Sequence, residues 1–220
     1  MKRKTRPSRP PATAAFPIAG IGASAGGLEA LKELLSHAPT DTGMAFVIIQ
    51  HLDPKHESMS AEILSRATLM PVKEVQDGML VEPNHVYVIP PNCNLGLSHG
   101  RLKLLPRAEA RGQHMPLDFF FLTLAKERKT LAIGVVLSGT AFDGTQGLRA
   151  IKAEGGITLA QDPASAKYDG MPRSAIASGA VDLIRTPQGI AADLARIAKH
   201  PYVVNPDAKP GQETLKRGEA

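Results

Sequence analysis

The chain has 220 residues, 43% of them hydrophobic and 21% charged, with a formal net charge of +5. That length and balance describe one globular domain with a proper core and exclude a fibrous or wholly disordered chain. Cys93 is the only cysteine, which excludes internal disulfides and cysteine-based zinc sites, and no run of about 18 apolar residues is present to cross a bilayer as a helix.

Residues 1–15, rich in Pro and Ala, read as a disordered basic leader carrying Lys2, Arg3, Lys4, Arg6 and Arg9. They do not form a signal peptide, because the apolar stretch 14–25 contains Pro17 and runs into a glycine-rich turn. The other 21 basic residues meet 21 acidic ones, so the body is neutral and shows no nucleic-acid footprint. A strand is predicted over 18–22 and a helix over 28–37. The continuous apolar run 44–49 reads as a strand buried on both faces, and a helix follows near 58–68. "VYVIPPN" and "LGLSHGRLKLL" then break the alternation, with an antiparallel hairpin near 94–105 around Gly100. A helix over 116–128 starts with Pro116 in its first turn and is expected to face the core with Phe119, Phe120 and Leu124. The remaining elements are a strand over 131–137, a helix over 144–153, a strand over 156–160, a loop over 161–171, a helix over 172–178, a strand over 181–184 and a helix over 190–199. A polar tail is expected over 204–220, leaving 16–203 as the domain. Strands that alternate with helices argue for a mainly parallel α/β sheet covered on both faces, whose ligands sit beyond the carboxyl ends of the strands.

"GIGASAGG", residues 20–27, stands at the first of those ends and holds two overlapping motifs. Gly20, Gly22 and Ala25 fit the dinucleotide turn G-x-G-x-x-A, while Gly22, Ser24 and Gly26 fit the nucleophile elbow G-x-S-x-G. The dinucleotide reading wants an acidic residue at the end of the second strand, where this chain has Gln50 and His51. His51 ends that strand; Ser138 and Asp143 follow the strand over 131–137; Gln161 and Asp162 follow the next. A hydroxyl, an imidazole and a carboxylate at one edge are what acyl transfer needs: nucleophile, base, and a group that fixes the base. Simpler roles stand beside this. Ser24 can cap the first helix, His51 can be a buried histidine bonded to backbone, Asp143 can cap the helix at 144, and Asp162 can be a turn residue. At this level Asp53, Asp143 and Asp162 remain alternatives. His51, Asp53 and His56 match no common zinc spacing, and Pro54 breaks the helix that would align the two histidines. His85 and His99 are expected to be structural, and His114 to border the site. A binding module without chemistry and a nucleotide-binding protein are the rivals.

Blocks that run in order through the chain carry a family likeness: "IGASAGGLEAL", "VIIQHLDP", "DGMLVEPNHVYVIPP", "HMPLDFFF", "GVVLSGTAFDGTQGL", "AQDPASAKYDGMPRSAI" and "GAVDLI". The chain resembles the catalytic domain of the chemotaxis protein-glutamate methylesterases, the CheB family, over nearly all of residues 17–199. Its phrasing is most similar to the form fused to a CheR-type methyltransferase. The resemblance implies a doubly wound sheet and a serine hydrolase that demethylates glutamates, and can deamidate glutamines, on methyl-accepting chemotaxis receptors; the lack of a signal peptide or spanning run and the single cysteine lead to the expectation of a cytoplasmic protein. It carries the nucleophile onto Ser24, the base onto His51 and the orienting carboxylate onto Asp143, with oxyanion donors near Ala25 and Thr140. It implies no cofactor and no metal. A receiver domain, usual before this domain, is not expected in a chain with about 16 residues ahead of the first strand. A separate response regulator or methyltransferase is then the expected partner beside the receptor. Ala25 and Thr140 depart from the Thr and Met often found in the chemotaxis form.

Overall fold

Apolar residues at period two and apolar residues at helical spacing alternate along the chain, and each run folds as its period dictates. A computed structural model describes residues 16–50, 59–107 and 114–200. The expected leader 1–15 and tail 204–220, and with them His51, Asp53 and His56, lie outside the described residues. In chain order the elements are β1 (Ile18–Ala23), α1 (Gly27–His37), β2 (Ala45–Gln50), α2 (Ser60–Ser65), β3 (Val72–Glu74), β4 (Val86–Val88), β5 (Cys93–Ser98), β6 (Arg101–Pro106), α3 (Pro116–Arg128), β7 (Ala132–Val136), α4 (Thr145–Ala153), β8 (Ile157–Gln161), α5 (Gly170–Ala177), β9 (Leu183–Arg185) and α6 (Pro187–Ala198). No helix among the described residues is long and apolar enough to cross a membrane.

Seven strands form one sheet in the order β3-β4-β2-β1-β7-β8-β9, and every pair in it is parallel. The order runs from β1 outward through β2 and β4, then returns to the other side of β1 with β7. The reversal between β1 and β7 is the crevice where doubly wound sheets bind ligands. Along β2 the side chains alternate: Phe46 and Ile48 pack with α1, α2 and α6, whereas Ala45, Val47 and Ile49 pack with α3 and the hairpin. The central strands are therefore buried on both faces, which is why they read as unbroken apolar runs.

Gly20 and Gly22 have a structural reason that their motif did not reveal. Both lie on the face of β1 that α3 covers. A Cβ at Gly20 would stand 2.9 Å from ring carbons of Phe120 and Phe121, and one at Gly22 would stand 2.0 Å from Leu117 Cδ2. The two glycines let α3 pack against the strand backbone.

The hairpin is an excursion, as expected: β5 and β6 pair antiparallel as a separate two-stranded sheet packed on α3. Its turn places His99 at φ 52° and Gly100 at φ 72°, the two left-handed residues of a tight type I′ turn. "VYVIPPN" departs from the expectation, because β4 keeps the parallel order inside the sheet and pairs β2 on one side and β3 on the other. β3 itself was not foreseen. In α3 the core-facing aromatics are Phe120 and Phe121, fully buried with Leu117 and Leu124; Phe119 is only half-buried and leans toward Gly96 of the hairpin. Positions 117, 120, 121 and 124 share one helical face, and 119 lies off it.

Candidate active site

Strand β1 ends at Ala23 and α1 starts at Gly27, so Ser24 sits on a three-residue elbow between strand and helix. Gly26 makes the turn possible with φ 67°, a left-handed conformation that suits glycine. The Ser24 N–H donates to the Ser138 carbonyl at 3.0 Å, and the Ser24 carbonyl accepts from Gly27 N–H at 2.9 Å. The helix-capping role does not hold: Gly26 is the N-cap, and it has no side-chain cap. Among the described residues the Ser24 hydroxyl has no hydrogen-bond partner, and it stands at the positive end of α1.

The loop after β7 lies directly against this elbow. A Cβ added to Gly139 would stand 2.9 Å from Ser24 Cβ. Farther along the same loop, Asp143 is 2% exposed. Its carboxylate accepts from three backbone amides: Leu117 and Asp118 at 3.0 Å each and Gly144 at 2.9 Å. Asp143 thus caps the start of α3 rather than α4, the helix it precedes. The return bond runs from Gly147 N–H in α4 to Asp118 Oδ1, at 2.7 Å. Burial pushes the Asp118 carboxyl up from its ordinary range; the Gly147 N–H opposes this, and the Asp143 charge adds to it. Asp143 is one side chain from β1, because Leu117, whose N–H it accepts, rests on Gly22.

Two peptides at this junction are held in fixed orientation. The Ser24 carbonyl is held by Gly27 N–H and the Gly139 carbonyl by Met171 N–H, at 2.9 Å each. A planar trans peptide sends its N–H opposite to its carbonyl, so these bonds fix the directions of the Ala25 and Thr140 N–H groups. Neither N–H has an acceptor among the described residues. Ala141, next in the loop, holds φ 69°, a left-handed conformation that costs a non-glycine residue about 1 kcal/mol or more.

The other candidates fall into place by their partners. Asp162 accepts from Ala164 N–H at 3.0 Å and caps a short 3-10 turn, the turn role foreseen for it. His85 bonds the Pro83 carbonyl and stacks on Tyr87, and His99 bonds Ser98 in the hairpin turn, so both are structural. His114 bonds Asn94 at 3.0 Å and borders a cleft of about 250 Å³ with Gln50, Asn92 and Arg107. Gln50 is the β2 residue in register with Ala23, the residue before Ser24. His51, next after Gln50 in sequence, and Asp53 lie outside the described residues. No cluster able to hold a metal ion occurs among the described residues. Sequence reasoning found Ser138 and Gln161 at the strand ends but gave them no role. The signal was available: a polar residue at the carboxyl end of a largely apolar run, here 1% and 2% exposed respectively.

Comparison with known proteins follows the same lines. The model of the CheB methylesterase family matches residues 19–194. The chain is 35% identical over 198 residues to the protein-glutamate methylesterase/protein-glutamine glutaminase of group 3 operon from Rhizobium meliloti (strain 1021), covering 90% of this chain and 56% of that protein. To the protein-glutamate methylesterase/protein-glutamine glutaminase of Photorhabdus laumondii it is 39% identical over 169 residues, 75% of this chain and 48% of that protein. The chain therefore spans about half the length of these relatives. The crystal structure of the Thermotoga maritima CheB methylesterase catalytic domain superposes with a TM-score of 0.77 at 29% identity, covering 84% of this chain and all of that one.

Proposed function

The chain belongs to the CheB methylesterase family, and from that premise we propose that it hydrolyses γ-methyl esters of glutamate on methyl-accepting chemotaxis receptors, with Ser24, His51 and Asp143 as its catalytic residues. The same site deamidates receptor glutamines. The observation that carries the reading is the elbow: a Ser24 hydroxyl with no hydrogen-bond partner among the described residues, at the sheet's switch point and flanked by two oriented N–H groups.

In the reaction, His51 takes the proton of Ser24 Oγ as the oxygen attacks the ester carbonyl carbon. The negative charge that develops on the carbonyl oxygen is received by the Ala25 and Thr140 N–H groups and by the dipole of α1. The bond to the methoxy group breaks, and methanol leaves with the proton from His51. Water then attacks the acyl-serine, giving its proton to His51; the C–Oγ bond breaks and Ser24 regains a proton. Glutamate is left as the free carboxylate. Asp143 orients His51 through both steps. Its oxygens already accept three amides, so the carboxylate is fixed before substrate arrives. The chemistry needs no metal and no cofactor. The receptor's helical cytoplasmic region is the substrate, which sets the protein in the cytoplasm. A separate response regulator or methyltransferase is the further partner.

A receptor fragment carrying methylated glutamates, digested and weighed by mass spectrometry after incubation with the chain, tests the reading. Loss of the methyl groups with the wild type, and their retention with His51→Ala, supports it. Methyl groups that persist with folded wild-type protein across several receptors favour a non-catalytic binding module.

A further inference from the structure

Ser138 and Gln161 take no chemical role in the proposed reaction, yet they are buried polar side chains at the ligand edge with their hydrogen bonds satisfied. Ser138 grips the elbow from both sides. Its carbonyl accepts the Ser24 N–H at 3.0 Å, fixing the peptide that precedes the nucleophile. Its hydroxyl lies 3.0 Å from the Ala25 carbonyl and 3.3 Å from the Tyr168 carbonyl, and the closer Ala25 oxygen is the better acceptor for its one proton. The peptide that follows Ala25 is thereby fixed too.

The same hydroxyl accepts the Tyr168 N–H at 3.0 Å, and the Gly139 N–H donates to the Tyr168 carbonyl at 2.9 Å. Those bonds tie the loop ahead of α5 to the elbow, where Lys167 and Tyr168 close over Gly26. Gln161 holds Ser138 from behind. Its Oε1 accepts the Ser138 N–H at 2.8 Å, and its Nε2 donates to the Ser165 carbonyl at 3.1 Å. One buried pair thus links the nucleophile's peptides, the oxyanion loop and the loop that covers them.

We propose that Ser138 and Gln161 are positioning residues for the catalytic serine: they hold the Ser24 elbow and the Ala25 and Thr140 amides in the geometry that the oxyanion requires. This rests on the reading of Ser24 as the nucleophile. Oxyanion donors act only when aimed in advance, and a displacement of about 1 Å in a reacting group can cost on the order of 10²-fold in rate.

The test uses the full chain and a fluorophosphonate, which needs no receptor. Ser24 Oγ attacks phosphorus, the P–F bond breaks, fluoride leaves and the serine proton passes to the general base. The wild type is expected to be labelled at Ser24. Ser138→Ala should lower the maximal labelling rate by about 10- to 100-fold with half-saturation unchanged within about twofold, because the elbow is loosened while the cleft is kept. Ser138→Thr, which retains the hydroxyl, should recover the rate to within about threefold of wild type. Gln161→Glu keeps an oxygen for the Ser138 N–H but cannot donate to Ser165, and should cost roughly 3- to 10-fold; it carries the test if Ser138→Ala fails to fold. Wild-type labelling rates in both Ser138→Ala and Gln161→Glu overturn the proposal, as does a rate loss that only tracks a loss of folded protein. A folded wild type that takes no label at Ser24 overturns the hydrolase reading itself, and the positioning role with it.

Discussion

Gly139 is the contact point between the loop after β7 and Ser24, the proposed nucleophile, and Gly139→Ala separates crowding of the core from displacement of the serine. The new Cβ would meet Met171 Sδ at 2.2 Å, Met171 Cγ at 3.1 Å and Ser24 Cβ at 2.9 Å. Van der Waals contact between such atoms lies near 3.5–4.0 Å, so more than about 1 Å must be made up against Met171 and more than about half an ångström against Ser24. Met171 is fully buried in the core cluster. Overpacking of this kind costs about 1–3 kcal/mol, and at roughly 2–4 °C per kcal/mol for a domain of this size the melting temperature should fall by about 2–12 °C. Moving Ser24 off its elbow geometry should also lower the labelling rate on the order of 10²-fold. Met171→Val removes the Sδ that is struck. The double variant should therefore be more stable than the sum of the two single changes by about 1 kcal/mol or more, yet remain slow, because the Ser24 contact persists. Urea unfolding and fluorophosphonate labelling of all four proteins measure both effects. Gly139→Ala with wild-type stability and rate would refute the reasoning, and full recovery of rate in the double variant would show that Met171, not Ser24, carries the defect.

Asp143→Asn replaces one acceptor oxygen with a donor facing backbone N–H groups; urea unfolding should show a loss of about 2–4 kcal/mol, and methanol release should fall on the order of 10³-fold or more. Phe121 is fully buried between β1 and α4, where Cβ atoms at Gly20 and Gly147 would stand 2.9 Å and 2.3 Å from it; Phe121→Ala should cost about 3–5 kcal/mol in the same unfolding assay. Burial alone would raise the Asp182 carboxyl, but Lys152 and the hydroxyl and N–H of Thr158 outweigh it and hold the group below its ordinary range. A carboxyl lowered on folding adds stability that is complete above its unfolded value, about 3.9, and is lost as pH falls through its folded value. Asp182→Asn should therefore be less stable than wild type at pH 7, with the gap closing below about pH 3.9 in thermal melts; a gap of constant size across that range would contradict the assignment.

The runs that became β1, β2 and β7 were legible because strands buried on both faces leave little polar interruption, and α3 was legible from Pro116 at its start. β3 was not, since three edge residues, half-buried Val72 and Lys73 and exposed Glu74, are too short a run to show a period. Three consecutive phenylalanines hide the phase of α3, so the choice between Phe119 and Phe121 needed the strand they pack against. Gly20 and Gly22 match a phosphate-binding motif in sequence, but their reason is a helix that begins nearly a hundred residues later. The site divides the same way. Ser24 and Asp143 could be picked out by strand ends and family likeness. The bonds that hold them join residues far apart in sequence: Asp143 to Leu117 across 26 positions, Ser138 to Ala25 across 113. No local pattern encodes such pairs.

Methanol released from methylated receptor membranes, with wild type and Ser24→Ala compared under the same conditions, tests the central claim most directly. The account predicts release by the wild type and a fall on the order of 10⁴-fold or more in the variant, the loss expected when a working triad is deprived of its nucleophile. Equal release by the two proteins would contradict Ser24 as the nucleophile, and no release by a folded wild type would contradict the methylesterase itself.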